Sequence, residues 1–281
     1  MKKIILFLLA STFINCSNYG QLNITASLPK KLREASGIEK VEDSNLLWMH
    51  NDSGNKNELY GVNIKGKIKK VITINAKNRD WEDITSDEFG NIYIADTGNN
   101  DNTRNDLVIL KVNGSDLENK SVDVEKIFFN YPDQHKFPPK KKKRFFDSES
   151  LIYLNGFLYI FTKSRVKNKY GVTKLYKIPA SAGNHTAELI GSFNNCDTYG
   201  CWITAAAISK NHKKLALLTH HSVLVFSNFQ NDQFFDGILT EYPFDHSSQK
   251  EGIVFKNNDT LYITDEKSHG KGGNLYTFAI N

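Results

Sequence analysis

Short apolar runs bounded by polar turn residues dominate the chain. Five of them are residues 46–49 (Leu-Leu-Trp-Met), 91–95 (Asn-Ile-Tyr-Ile-Ala), 157–161 (Phe-Leu-Tyr-Ile-Phe), 214–218 (Lys-Leu-Ala-Leu-Leu) and 260–264 (Thr-Leu-Tyr-Ile-Thr). Their length, their branched and aromatic content and the Asp, Asn, Gly and Lys clusters that precede them predict strands. A further strand follows each, at 58–64, 107–112, 173–178, 223–227 and 274–280. A fourth follows in four of the units, for example at 67–74 and 126–131. No window carries the 3.6-residue period of an amphipathic helix.

A short pattern recurs ahead of each unit: an acid or hydroxyl two residues before a branched apolar residue. It reads Ser36-Gly37-Ile38, Glu82-Asp83-Ile84, Glu149-Ser150-Leu151 and Glu251-Gly252-Ile253, with a weaker copy, Ala206-Ala207-Ile208, that lacks the polar residue. The gaps between these anchors are 46, 67, 57 and 45 residues. Repeats of about 40–50 residues in a β-rich chain are propeller blades. The chain is therefore expected to be all-β, a β-propeller of five four-stranded blades. Only 30 residues follow Glu251, room for three strands. The missing outer strand is assigned to residues 22–28 (Leu-Asn-Ile-Thr-Ala-Ser-Leu), so that an N-terminal strand closes the last blade and protects two edges. This closure favours five blades over six.

Composition supports a packed domain: 40% of residues are hydrophobic and 12% aromatic, too many for a disordered chain. Residues 21–281 read as one propeller domain and 1–20 as a leader and tether. Lys2 and Lys3 precede an apolar stretch, 4–13, that is too short to span a bilayer. The expectation is export in a bacterial manner. Cys16 stands where a lipoprotein cysteine would, giving a lipid-anchored envelope protein; cleavage a few residues later, with release, is the other outcome. Once Cys16 is set aside, Cys196 and Cys201 remain, in a turn-like loop, and an oxidising envelope makes them a disulfide; a metal pair is the weaker alternative, with no further His or Cys nearby to complete the set. The net charge of +5 comes largely from the run 140–144 (Lys-Lys-Lys-Lys-Arg). With no helix-turn-helix, zinc-finger spacing or basic helix, nucleic acid is not an expected partner, and the run reads as a solvated loop. A monomer is expected.

In a propeller the loops entering the innermost strands and those joining second to third strands open on one face. The anchors should then meet at the axis however distant in sequence. Carboxylates crowded there repel one another unless a cation compensates. A hard divalent ion held by oxygens answers that need; calcium suits a flexible set of carboxylates and hydroxyls, with magnesium second. The expected metal ligands are Ser36, Glu82, Glu149 and Glu251, with Thr204 or water standing in at the fourth blade. The second-to-third loops add Asp52, Asp96, Arg104, Lys163, Arg165, His221 and Lys267 to the same face. Arg104, Lys163, Arg165, His221 and Lys267 are the candidates for binding a small anionic substrate. Asp52, Asp83 and Asp96 are the candidate proton acceptors. Trp81 reads as packing between blades, and the ion as either catalytic or a structural pin. No serine elbow, phosphate-binding glycine loop or zinc-protease motif competes.

At Ser36-Gly37-Ile38, Trp81-Glu82-Asp83, Glu149-Ser150-Leu151 and Glu251-Gly252-Ile253 the chain resembles the five-bladed calcium-activated nucleotidases, or apyrases. It is similar in style to the wider calcium-dependent phosphotriesterase, lactonase and phytase-like propellers. The resemblance implies an axial calcium held by Ser and Glu side chains and hydrolysis of a phosphate ester or related anion. Ala206 departs from that pattern. A propeller that only binds a glycan, peptide or protein partner, with a structural metal or none, is the alternative.

Overall fold

In the computed structural model, residues 22–42, 44–268 and 270–280 are described; Cys16 and the leader lie outside them. The first strand, β1 (Leu22–Ser27), belongs to the last blade. Blade one is β2 (Ala35–Glu39), β3 (Leu47–Asn51), β4 (Glu58–Val62) and β5 (Ile68–Ile74). Blade two runs β6 (Trp81–Ser86), β7 (Ile92–Asp96), β8 (Val108–Val112), a short β9 (Ser121–Val122) and β10 (Glu125–Asn130). Blade three has β11 (Asp147–Leu154), β12 (Phe157–Lys163), β13 (Val172–Pro179), a short β14 (Gly183–Thr186) and β15 (Glu188–Asn194). Blade four is β16 (Ala205–Ile208), β17 (Lys214–Leu218), β18 (Ser222–Ser227) and β19 (Ile238–Pro243). Blade five is β20 (Lys250–Asn257), β21 (Thr260–Asp265) and β22 (Asn274–Ala279), completed by β1.

The inner strands neighbour one another in the order β2, β6, β11, β16, β20 and back to β2, which closes the ring. The expected closure holds: β1 pairs antiparallel with β22, Leu22 opposite Phe278 and Ser27 opposite Asn274. Two strands fall outside the sequence expectation. β9, between the third and fourth strands of blade two, pairs parallel with β5 of blade one. β14 does the same from blade three to β10 of blade two. Each covers the outer edge of the preceding blade, whose open N–H and C=O groups would otherwise invite pairing with another chain. Neither segment is apolar enough to announce a strand.

Successive side chains of a strand point to opposite faces, so each middle strand feeds two cores. On β7, Ile92 and Ile94 pack with Trp48, Leu59 and Ile72 of blade one, whereas Tyr93 and Ala95 pack with Leu151, Leu158 and Ile160 of blade three. On β17, Leu215 and Leu217 face blade three while Ala216 and Leu218 face blade five. Burial on both faces is why these strands read as unbroken apolar runs. Trp81 is fully buried in the core between blades one and two, edge-on to His50 at 5.5 Å. A tryptophan buries roughly 150–250 Å² at about 25 cal/mol/Å², a contribution of about 4–6 kcal/mol. Among the described residues no helix is long and apolar enough to cross a membrane.

Candidate metal centre

Four of the five inner strands break register at the anchor. The ladder shifts between Ala35 and Gly37 in β2, between Trp81 and Ile84 in β6, between Ser148 and Ser150 in β11 and between Lys250 and Gly252 in β20. The residues left over are Ser36, Glu82 with Asp83, Glu149 and Glu251. A bulge leaves a residue unpaired and re-aims its side chain, and here it turns the anchors inward. In β16 the ladder runs unbroken through Ala206. The blade without a polar anchor is thus the blade without a bulge.

Neighbouring blades brace these bulges. Ser36 Oγ donates to the Glu82 carbonyl at 2.6 Å, Thr97 Oγ1 to the Ser148 carbonyl at 3.0 Å and Thr204 Oγ1 to the Lys250 carbonyl at 2.6 Å. Thr204 therefore braces the next blade's bulge, as Ser36 does. Ala206 offers its backbone N–H to Asp83 Oδ2 at 3.3 Å.

Two overlapping groups of carboxylates come together. Asp52, Asp80 and Glu82 form one, and Glu82, Asp147 and Glu149 the other, each with ligand atoms within 4.8 Å of one another. Glu82, Asp147 and Glu149 are buried. Glu251 lies near enough to Glu149 to feel its charge and shares a hydrogen bond with Glu266. The cluster's heart is thus shared by blades one to three, with Ser36 and Glu251 at its flanks. Asp80 and Asp147 were not among the expected ligands. Each stands two residues ahead of an anchor, in Asp-Trp-Glu and Asp-Ser-Glu, a spacing that keeps side chains on one side of extended backbone; that spacing was the available signal. Gly98 lies against the cluster, where any Cβ would overlap Glu82 Oε1 and the Asp80 carboxylate.

Burial and mutual repulsion raise these acids. Glu82 is pushed well above the usual carboxylate range, first by burial and then by Glu149 and Asp52. Burial, with repulsion from Asp80 and Glu149, lifts Asp52 to about 6. Burial likewise lifts Glu266 to about 7. Among the described residues two cations pair with acids of the cluster. Lys163 Nζ pairs with Glu149 Oε2, and Arg165 reaches Asp147 at 2.6 Å and Glu149 at 3.1 Å. Both also lie over the Trp202 ring, at 5.1 and 5.2 Å.

The remaining expected site residues are placed by their contacts. Arg104 is turned into its own loop: Nη1 donates to the Gly98 carbonyl at 2.9 Å, Nη2 lies 2.9 Å from Asp96 Oδ1 and Nε 3.1 Å from Asp106. Asp96 also accepts the backbone N–H groups of Arg79 and Asp80. Both residues hold the loop that carries Asp80 and are not open to a ligand. Asp83 is fully buried and accepts N–H groups from Ile84, Leu151 and Ala206, at 2.8, 2.9 and 3.3 Å. It ties three blades together and has no route to a substrate. Lys163 and Arg165 neutralise Glu149 and Asp147 and do not stand free around the cluster. The Lys267 side chain is exposed, and its backbone N–H donates to the Arg33 carbonyl. His221 lies outside the acidic cluster, in a neighbouring cavity. Asp52 alone of the three candidate proton acceptors stands at the cluster with a partly exposed side chain. Cys196 and Cys201 are joined as a disulfide, with Cα atoms 5.7 Å apart, as the spacing predicts.

No protein-family model matches the chain, and no curated protein is detectably similar to it. Solved structures give distant likenesses. A chain of a nidogen/laminin complex is 12% identical over 87% of this chain and 80% of that one, with a TM-score of 0.49. A β-propeller domain from Myceliophteria thermophila is 8% identical, over 92% of this chain and 100% of that one, with a TM-score of 0.48. A chain of Kuenenia stuttgartiensis hydrazine synthase is 12% identical, over 92% of this chain and 59% of that one, with a TM-score of 0.44. The sheet topology and the closed ring of inner strands by themselves make the fold a β-propeller.

Proposed function

We propose that the mouth of the propeller holds a calcium ion and, through it, an oxyanion ligand, and that the protein hydrolyses a phosphate ester there. The observation that carries this reading is the convergence of Asp52 and Asp80 with Glu82, Asp147 and Glu149 of the bulged strands, with Lys163 and Arg165 paired to Glu149 and Asp147. Such a donor set is all oxygen and partly buried, the chemistry of a hard divalent cation; magnesium, which demands a stricter octahedron, is the second choice. Calcium supplies Lewis acidity toward a phosphoryl oxygen and lowers the pKa of a coordinated water. Asp52 is the proton acceptor, as the candidate that stands at the cluster with a partly exposed side chain. Glu82, Asp147 and Glu149 form the inner wall, and Arg165 keeps Asp147 and Glu149 oriented.

The leader reading places the protein in a bacterial envelope, anchored through a lipid on Cys16, and the Cys196–Cys201 disulfide fits an oxidising compartment. A calcium-dependent phosphoesterase assay with p-nitrophenyl phosphate, its diester and nucleotides tests the catalytic claim. Turnover abolished by chelation and lowered at least about 100-fold in Glu82→Gln is expected. A second reading, a non-catalytic module with a structural ion, is favoured by one observation: Lys163 and Arg165 are already paired. Calcium binding without turnover on any ester would establish that second reading.

Gly98 gives an independent check. Gly98→Ala is expected to weaken calcium binding about ten-fold or more in calorimetric titration, because the methyl group displaces the Glu82 and Asp80 carboxylates. Unchanged affinity would place the ion elsewhere.

A further inference from the structure

Beside the acidic centre, between blades four and five, lies a cavity of about 370 Å³ lined by Tyr199, Trp202, His220, His221, Gln249 and Glu266 among others. Its aromatic wall is clamped in place. Tyr199 sits within the loop closed by the Cys196–Cys201 disulfide and is 62% exposed. Its ring stacks on Tyr170 at 4.1 Å and meets Trp202 edge-on at 4.8 Å. The loop is docked on blade three, where the Gly171 N–H donates to the Cys196 carbonyl at 2.9 Å and a side chain at 171 would collide with that backbone. An exposed tyrosine forgoes the stabilisation of burial. A covalent bridge and a contact only glycine permits hold it there, as expected of a surface kept for a ligand.

The other wall is polar. His220 Nε2 is buried without a hydrogen-bond partner among the described residues. The His221 ring stands against Gly200, where a Cβ would overlap it. Glu266 joins the cavity to the centre through its hydrogen bond with Glu251. On the aromatic side the link is Trp202, under both Lys163 and Arg165.

An aromatic face opposed by acceptors and donors suits a ring with C–H groups on one side and hydroxyls at its edge. A planar base would seek a slot between parallel rings. Here Tyr170 and Tyr199 already stack on each other and Trp202 stands perpendicular, at 82° to Tyr199, which leaves a corner. We propose that this cavity is a subsite for a pyranose ring, so that the ligand of the metal centre is a sugar phosphate. The anionic half of this proposal rests on the calcium reading; the sugar half does not.

The test is an array of neutral hexoses, hexosamines, uronic acids, their phosphates and nucleotides, probed with the purified protein in calcium and in chelator. Binding to at least one sugar phosphate is expected, weakened about ten-fold by Tyr199→Ala and restored by Tyr199→Phe. Calcium titration should be unchanged in both variants, and the melting temperature unchanged in Tyr199→Phe. If calcium fails to bind the unmodified protein, the metal reading falls, while neutral-sugar hits lost in Tyr199→Ala still support the subsite. A blank array, hits confined to nucleotides, or sugar binding indifferent to Tyr199→Ala would overturn the proposal.

Discussion

Asp83→Ala is expected to cost the fold about 3–5 kcal/mol, the largest effect of any single change outside the hydrophobic cores. The Asp83 carboxylate is fully buried and accepts backbone N–H groups from blades two, three and four. Alanine leaves those donors without acceptors, and a stranded buried donor costs about 1–3 kcal/mol. At about 2–4 °C per kcal/mol for a domain of this size, the melting temperature should fall by roughly 6–20 °C. Asp83→Asn, which keeps one acceptor oxygen, should lose less. Burial pushes the Asp83 pKa well above its ordinary value, although the three N–H groups act to lower it. Denaturant unfolding of the two variants checks the prediction; a loss under about 1 kcal/mol in Asp83→Ala would mean the blades do not rely on this carboxylate.

Calcium is expected to stabilise the protein, and by more at pH 7.5 than at pH 5. Glu82 and Glu251 are raised well above the ordinary carboxylate range by burial and by their acidic neighbours, Asp52 to about 6 and Glu266 to about 7. A carboxyl whose folded pKa exceeds its unfolded one holds more protons when folded. The contribution of these groups to stability without the ion is then largest below about pH 4, where both states are protonated, and falls as pH rises toward 7. Bound calcium replaces those protons, so its affinity grows over the same interval. At calcium one hundred times its Kd the gain is about 2.7 kcal/mol, or roughly 5–10 °C. Glu82→Gln should remove most of that gain while raising the calcium-free melting temperature at pH 7.5, because one repelling charge has gone. Melting curves across pH, with calcium and with chelator, measure both effects. A calcium response absent at every pH would remove the metal centre from this protein.

The legible parts of the site and the illegible ones differ in the range of the interactions behind them. The anchors Glu82 and Glu149 could be picked out because a bulge leaves a local trace, a polar residue two before a branched one at a strand head. Asp80 and Asp147 carried a trace as well, the alternate spacing with the anchor, yet nothing short-range shows that Asp52 of blade one closes the group. Asp83 illustrates the opposite case. In sequence it is one more acid beside Glu82, a plausible proton acceptor. Its partners at Leu151 and Ala206 lie 68 and 123 residues away and turn it into a buried tie. Arg104 and Asp96 differ from their sequence reading for a related reason: a polar loop looks open until its own side chains are seen to satisfy one another.

By itself the chain's order of residues determined the strands, the five-fold repeat, closure by residues 22–28 and the pairing of Cys196 with Cys201, because each depends on apolar runs, turn chemistry or regular spacing along the chain. Folding alone decided which acids meet, which cations they neutralise, how β9 and β14 shield their neighbours' edges, and where Tyr199 is displayed. Those outcomes depend on which blades are neighbours around the ring. Adjacency of that kind is a property of the closed torus and of no window along the chain.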